Sequence, residues 1–152
     1  MKIRMMAFAL SIALLTLVSC DRSDDNYSDF IFTRNIVLSG QNEVPAVNTA
    51  ATGIASLEYN KRNKTLSYTI NFSGLSANAS AAHIHGLAGP GFNAGIVQTF
   101  GGFPAATSGT YRGTLFADGV QVKEDDILSG RFYINIHTAT NPGGEIRGQI
   151  VF

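Results

Sequence analysis

Apolar and polar residues alternate along most of the chain after residue 30, with the two-residue period of a β-strand that buries one face. The alternation is clearest over residues 65–73, where every second side chain is large and apolar. These apolar positions are Leu66, Tyr68, Ile70 and Phe72. The same pattern predicts further strands around Ile36, around Ile84, and at 53–59, 96–100, 110–116, 131–137 and 144–152.

About eight short strands, separated by turns rich in glycine and asparagine, predict an all-β fold, a Greek-key β-sandwich of antiparallel strands. Residues 122–128 are the one segment that predicts a short helical turn, with Ile127 and Leu128 packed inward behind a charged run. The chain contains 16 glycines, and their clusters lie between the predicted strands. Glycine in those places fits loops and bends better than a packed core.

Residues 1–19 have the form of a secretory signal peptide, with Lys2 and Arg4 ahead of an apolar run at 5–18. That run is too short for a comfortable membrane-spanning helix. It ends in Leu-Val-Ser-Cys, which resembles the bacterial lipobox and predicts that Cys20 becomes the lipidated first residue of the mature protein. The alternative is an ordinary signal peptide followed by an unmodified cysteine.

Acyl chains such as palmitate on Cys20 would anchor the protein to a membrane without crossing it, and more than one chain is needed for stable anchoring. We therefore expect the bacterial cell envelope, at the outer membrane, with the domain facing the periplasm or the exterior. Residues 20–32 predict an acidic tether, and 33–152 a single β-domain. The acidic residues also resemble export tags of surface lipoproteins. Because Cys20 is the only cysteine, no disulfide can form within the chain.

Charge and residue types exclude several classes of function. Removal of residues 1–19 leaves nine basic and eleven acidic residues, so the chain lacks the basic stripe of a nucleic-acid-binding protein. Lipidation would block the thiol of Cys20 as a catalytic nucleophile, and no serine lies in a Gly-x-Ser-x-Gly elbow. Asp125 and Asp126 are adjacent in one turn, which does not match the opposed carboxylates of a glycoside hydrolase. We therefore expect a protein that is not an enzyme.

The three histidines of the chain are the strongest candidates for a functional site. His83 and His85 are two residues apart on one predicted strand, so they share a face. His137 shares a face of a later strand with Asn135. If the fold joins these strands, three imidazoles suit copper or zinc with one open position. The alternative is that neutral imidazoles hydrogen-bond to loop groups and hold the glycine-rich loops in place.

Four polar residues are candidates for a supporting shell around those histidines. Glu145 and Arg147 share a face of the last predicted strand and, with Glu43, could form an ion pair or orient a histidine. Asn135 lies on the same strand face as His137. The alternative for Glu145 and Arg147 is a solvated strand face that contributes little to stability.

Three separated motifs resemble the CHRD domain, a family named for chordin and also found in microbial secreted proteins. They are Leu-Ser-Gly-Gln-Asn-Glu-Val-Pro at 38–45, Ala-Ala-His-Ile-His-Gly with Ala-Gly-Pro at 81–90, and Tyr-Ile-Asn-Ile-His-Thr through Asn-Pro-Gly-Gly-Glu-Ile-Arg-Gly at 133–148. The resemblance covers 33–152 and implies a β-sandwich, but it assigns no biochemical activity. Growth-factor antagonism is not transferred from the family name.

The His-x-His pair also resembles part of the copper site of copper/zinc superoxide dismutase. That enzyme uses six histidines and an aspartate, whereas this chain has three histidines, so a dismutase of that type is excluded. Two hypotheses remain. The first is a membrane-anchored, non-catalytic binding module whose loops at 86–93 and 101–109 contact an envelope or extracellular ligand. The second is a copper- or zinc-binding protein that uses His83, His85 and His137.

Overall fold

The computed structural model describes residues 30–152. The predictions for the signal peptide, for Cys20 and for most of the tether therefore lie outside the described residues. Eight strands and one short helix follow in chain order: β1 (Ile31–Ser39), β2 (Thr52–Asn60), β3 (Thr65–Ser73), β4 (Ala79–Gly86), β5 (Ile96–Thr99), β6 (Gly109–Phe116), α1 (Glu124–Leu128), β7 (Phe132–Thr138) and β8 (Ile146–Ile150). A short 3-10 turn, Gly40–Asn42, follows β1.

The eight strands form one sheet in the order β5-β4-β7-β8-β1-β2-β3-β6, and every neighbouring pair is antiparallel. The all-β prediction with eight antiparallel strands is confirmed. The sheet curls until its two edge strands almost meet. There the Gln98 side chain on β5 donates to the Thr114 carbonyl on β6 at 2.8 Å and accepts from the Tyr68 hydroxyl at 3.0 Å.

The inner face of the curled sheet holds the hydrophobic core. The alternating residues of β3 are all buried, as the sequence predicts, and so are Ile84 of β4 and Ile134 and Ile136 of β7. Helix α1 adds Ile127 to the same core, and Leu128 packs against it. Among residues 30–152, no helix is long and apolar enough to cross a bilayer.

Candidate metal centre

Strands β4 and β7, which carry the histidines, are direct neighbours in the sheet. Their register places His83 opposite Asn135, His85 opposite Tyr133, and Ala81 opposite His137. Residues that lie opposite each other in a sheet point to the same face. Because Ile84, Ile134 and Ile136 occupy the core face, the histidines lie on the other face. That face of β4, β7 and β8 is here called the polar face.

The three imidazoles converge on the polar face. One ligand-capable nitrogen from each of His83, His85 and His137 lies within 4.8 Å of the other two. Nδ1 of His83 and Nε2 of His137 are 2.9 Å apart. Two nitrogens that bind one metal ion at about 2.0–2.1 Å lie at most about 4.2 Å apart. The 2.9 Å pair therefore fits a shared ion, whereas a separation near 4.8 Å would have to shorten when the ion binds.

The hydrogen bonds of His85 and His137 to backbone carbonyls determine which ring nitrogen carries the proton. Nδ1 of His85 lies 2.9 Å from the carbonyl oxygen of Ala94, and Nδ1 of His137 lies 2.9 Å from that of Pro142. A carbonyl oxygen only accepts, so in each neutral ring Nδ1 carries the proton and Nε2 keeps a lone pair. Nε2 of His85 is buried and has no hydrogen-bond partner within the described chain.

The sequence left two interpretations of the histidines open, metal binding and attachment of the glycine-rich loops, and these contacts are compatible with both. His85 and His137 do hold loops, because their Nδ1 atoms contact the carbonyls of Ala94 and Pro142. They use only one nitrogen each for that purpose. A backbone carbonyl on one imidazole nitrogen is also the usual way in which proteins orient a metal-binding histidine. Loop attachment and metal binding are therefore compatible in this fold.

The environment favours the neutral form of His83 and His137. Burial lowers the pKa of His83 to about 4, assisted by the positive charges that His137 and His85 would carry. Burial also lowers the pKa of His137, although its contact with the Pro142 carbonyl acts in the opposite direction. A neutral imidazole is the form that binds a metal ion.

Tyr133 and Arg147 extend the cluster into a stack. Arg147 is a candidate from the sequence, whereas Tyr133 is not. The rings of His85 and Tyr133 are parallel within 1° and their centres lie 4.8 Å apart. The guanidinium carbon of Arg147 lies 3.4 Å from the centre of the same Tyr133 ring. The only sequence signal for Tyr133 is that it shares a strand face with His137.

Arg147 is 1% exposed, so the alternative interpretation, that it belongs to a solvated strand face, is wrong. Its guanidinium donates to the Phe92 carbonyl at 2.8 Å, to the Asn93 side chain at 3.2 Å and to the Gln149 side chain at 3.3 Å. Asn93 in turn donates to the Val44 carbonyl at 2.9 Å. Two loops that are distant in sequence therefore cover this end of the polar face and exclude water from Arg147.

Glu145 is fully buried, so the solvated interpretation is wrong for it too, and it forms no ion pair with Arg147 in the described chain. Its carboxylate accepts hydrogen bonds from Thr49 Oγ1, Ser76 N, Ser76 Oγ and Thr138 Oγ1 at 2.7–2.9 Å. Burial raises its pKa, but these four hydrogen bonds outweigh burial and lower the pKa to about 2. Glu145 thus joins three segments and does not hydrogen-bond to a histidine.

Asn135 contacts a histidine, and Glu43 and Asn135 both lie beside Gly144. The Asn135 amide oxygen is 3.0 Å from Nε2 of His137. Glu43 is buried, and its Oε1 has no hydrogen-bond partner among residues 30–152. Burial raises the Glu43 pKa to about 7, against the lowering effect of Arg147 and of the Val44 N–H. A Cβ atom at Gly144 would overlap the Glu43 carboxyl and lie 2.9 Å from Asn135 Nδ2, so only glycine leaves room for both.

A family model described as the CHRD domain matches residues 34–150. The match spans all eight strands nearly from end to end and includes every residue of the candidate centre. It confirms the resemblance that the three sequence motifs predict. Neither the curated proteins nor the solved structures gave a significant match.

Proposed function

The chain belongs to the CHRD domain family, and we propose that it is an extracytoplasmic, non-catalytic binding module that holds one copper or zinc ion. The family match supports a role as an extracellular binding module. The metal assignment rests on one observation, the convergence of nitrogens from His83, His85 and His137 within 4.8 Å on one sheet face.

The residues present fit such an ion in chemistry, and the His83–His137 pair of nitrogens fits it in spacing. All three donors are imidazoles, which suit both copper and zinc. The lone pair on Nε2 of His85 is buried and unused, and an unused buried polar atom is rare in folded proteins unless a ligand or water completes it. The Pro142 carbonyl accepts a hydrogen bond from Nδ1 of His137 and would orient that ring.

Metal titration tests this proposal directly. We expect the full-length chain, purified in detergent without a histidine tag, to take up one equivalent of Cu(II) or Zn(II). The triple variant His83→Ala, His85→Ala and His137→Ala should take up none while circular dichroism still reports the β-domain. Absence of stoichiometric uptake by the natural chain, or equal uptake by the triple variant, would exclude the proposed site.

The pH dependence of metal affinity is a second expected result. Three ordinary imidazoles would each compete with a proton below about pH 6.5, so log Kd would change by up to three units per pH unit. Burial lowers the pKa of His83 to about 4, so this ring is already neutral at pH 5, and burial also lowers the pKa of His137. We therefore expect a slope clearly below three between pH 6 and pH 5, measured by titration in a series of buffers. A slope near three would contradict the lowered pKa values.

The lipid anchor remains a prediction from residues 17–20, with its own test. Expression in a bacterium that processes lipoproteins, with a clickable palmitate analogue, should label the natural chain and place it in the membrane fraction. Cys20→Ser should lose the label and leave that fraction, whereas the neighbouring change Ser23→Ala should behave like the natural chain. An unlabelled natural chain would instead support the ordinary signal peptide.

Binding of a macromolecular ligand through loops is the second candidate function. Phe92 and Leu87 support it, because they are 70% and 43% exposed on the 86–93 loop that Arg147 holds beside the histidines. An open cleft of about 870 Å³ also crosses β1, β2, β3 and β6, away from the histidines. The two functions are compatible, since the exposed loop residues and the candidate ligands are different side chains.

A further inference from the structure

We propose that the ion selected by the three-histidine site is Cu(I), in preference to Cu(II) and Zn(II). This inference deepens the proposed function and rests on it. Two features of the polar face carry the argument. The first is the number and type of donors, and the second is the charge of the groups that pack against them.

The donor set is small and neutral. His83, His85 and His137 form a complete group in residues 30–152, and no aspartate, glutamate or cysteine belongs to it. Structural zinc sites have four protein ligands and often include anionic ones, which neutralise part of the charge, whereas zinc held by three histidines keeps a fourth position for water. Three imidazoles leave a divalent ion with its full charge of +2. A Cu(I) ion is satisfied by three nitrogen donors and leaves only +1.

The charged group stacked against the cluster is a cation. The Arg147 guanidinium lies 3.4 Å from the Tyr133 ring centre, and that ring lies 4.8 Å from the His85 ring. No carboxylate oxygen of the described chain lies within 4.0 Å of Arg147, and the groups that accept its hydrogen bonds are neutral. Arg147 is therefore a buried positive charge without an ion-pair partner.

Neither buried carboxyl group cancels that charge at close range. The Glu145 carboxylate is occupied by hydrogen bonds from Thr49, Ser76 and Thr138. Glu43 interacts electrostatically with Arg147 without forming an ion pair, and burial raises its pKa to about 7, so at pH 6 this carboxyl group is mostly uncharged. The energetic cost of placing an ion in a poorly solvated site rises with the square of its charge. At an effective dielectric of 20, each unit of positive charge on a metal ion about 10 Å from a cation raises the Kd of that ion on the order of tenfold.

The first test compares the three ions on the natural chain. The full-length protein in detergent is titrated with Cu(I) under anaerobic conditions against bicinchoninate, and with Cu(II) and Zn(II) against matched chelators at one pH. We expect the Kd for Cu(I) to be at least tenfold lower than either other value. An equal or lower Kd for Cu(II) or Zn(II) would overturn this inference and leave the proposed metal site standing. No uptake of any ion would instead overturn the proposed function.

The second test isolates the charge of Arg147. In Arg147→Gln, we expect the ratio of the Cu(II) Kd to the Cu(I) Kd to fall about tenfold, so the reduction potential falls by about 59 mV for this one-electron couple. Arg147→Lys keeps the charge, and Arg112→Gln removes an exposed one from β6. Both of these variants should retain the ratio of the Cu(II) Kd to the Cu(I) Kd that the natural chain has. A purely structural role of Arg147 would weaken both ions alike and leave the potential unchanged, which would overturn the charge argument. If Arg147→Gln does not fold, the comparison of ions decides the inference.

Discussion

Replacement of His85 by alanine is expected to remove metal binding almost completely. The variant loses a donor whose Nε2 is buried and has no other partner in the described chain. Loss of a supporting residue around a metal typically lowers affinity by about 10- to 100-fold, and loss of a ligand should exceed that range. We expect the Kd of His85→Ala to rise by at least 100-fold, measured by chelator competition.

Thermal melts with and without the ion separate this role from loop attachment. At 100 times its Kd, an ion that binds only the folded chain stabilises it by about 2.7 kcal/mol. The natural chain should therefore melt roughly 8 °C higher when the ion is present. His85→Ala should show no such shift, and Ser80→Ala, an exposed change on the same strand, should show the full shift. Should His85→Ala keep the shift and only melt lower without metal, His85 would serve the Ala94 loop alone.

Glu145→Gln is expected to cause the largest loss of stability of any single conservative change at the polar face. The carboxylate is fully buried and accepts four hydrogen bonds from Thr49, Ser76 and Thr138. An amide has one acceptor oxygen, and its NH₂ group would face donors. Buried donors left without an acceptor cost about 1–3 kcal/mol each. We expect the free energy of unfolding to fall by about 3 kcal/mol at pH 7, measured by urea denaturation.

The lowered pKa of Glu145 also predicts how the stability of the folded chain changes with pH. The pKa of Glu145 is about 2 in the folded chain and about 4.5 when unperturbed. The stabilisation is therefore fully present above pH 4.5 and is lost as the pH falls towards 2, by about 1.4 kcal/mol per pH unit. The difference between the natural chain and Glu145→Gln should narrow by about 2 kcal/mol between pH 5 and pH 3. Glu58→Gln, at an exposed position of β2, should match the natural chain. A constant difference would show that the charge is not what stabilises this position.

The alternation of side chains along a strand made one part of the histidine cluster predictable, the shared face of His83 and His85. Alternation in β4 places His83 and His85 on one face whatever the rest of the chain does, because successive strand residues point to opposite faces. The sequence contains no comparable signal that β4 pairs with β7, since 45 residues separate the two strands. The 2.9 Å approach of His83 to His137 depends on that pairing. The motifs on both strands identify the family, but they do not give the distance between His83 and His137.

The sequence shows which polar residues lie on the polar face, but it does not show that these residues are buried. A strand that alternates apolar and polar side chains is normally solvated on the polar side, which is why Glu145 and Arg147 read as surface residues. In the folded chain, loops from 43–51 and 87–95 lie over that side and supply the groups that Arg147 and Glu145 contact. Local sequence does not show which strand face a distant loop will cover.

The sequence by itself determined the all-β class, the strand that carries His83 and His85, the family, and the residue types available for a site. These properties follow from local periodicity and from motifs, which the order of residues contains directly. Only the tertiary structure decided that His137 joins the pair, that Tyr133 and Arg147 stack behind His85, and that Glu145 is buried. Each of these depends on contacts between segments far apart in the chain, and such contacts exist only once the sheet has closed around its core.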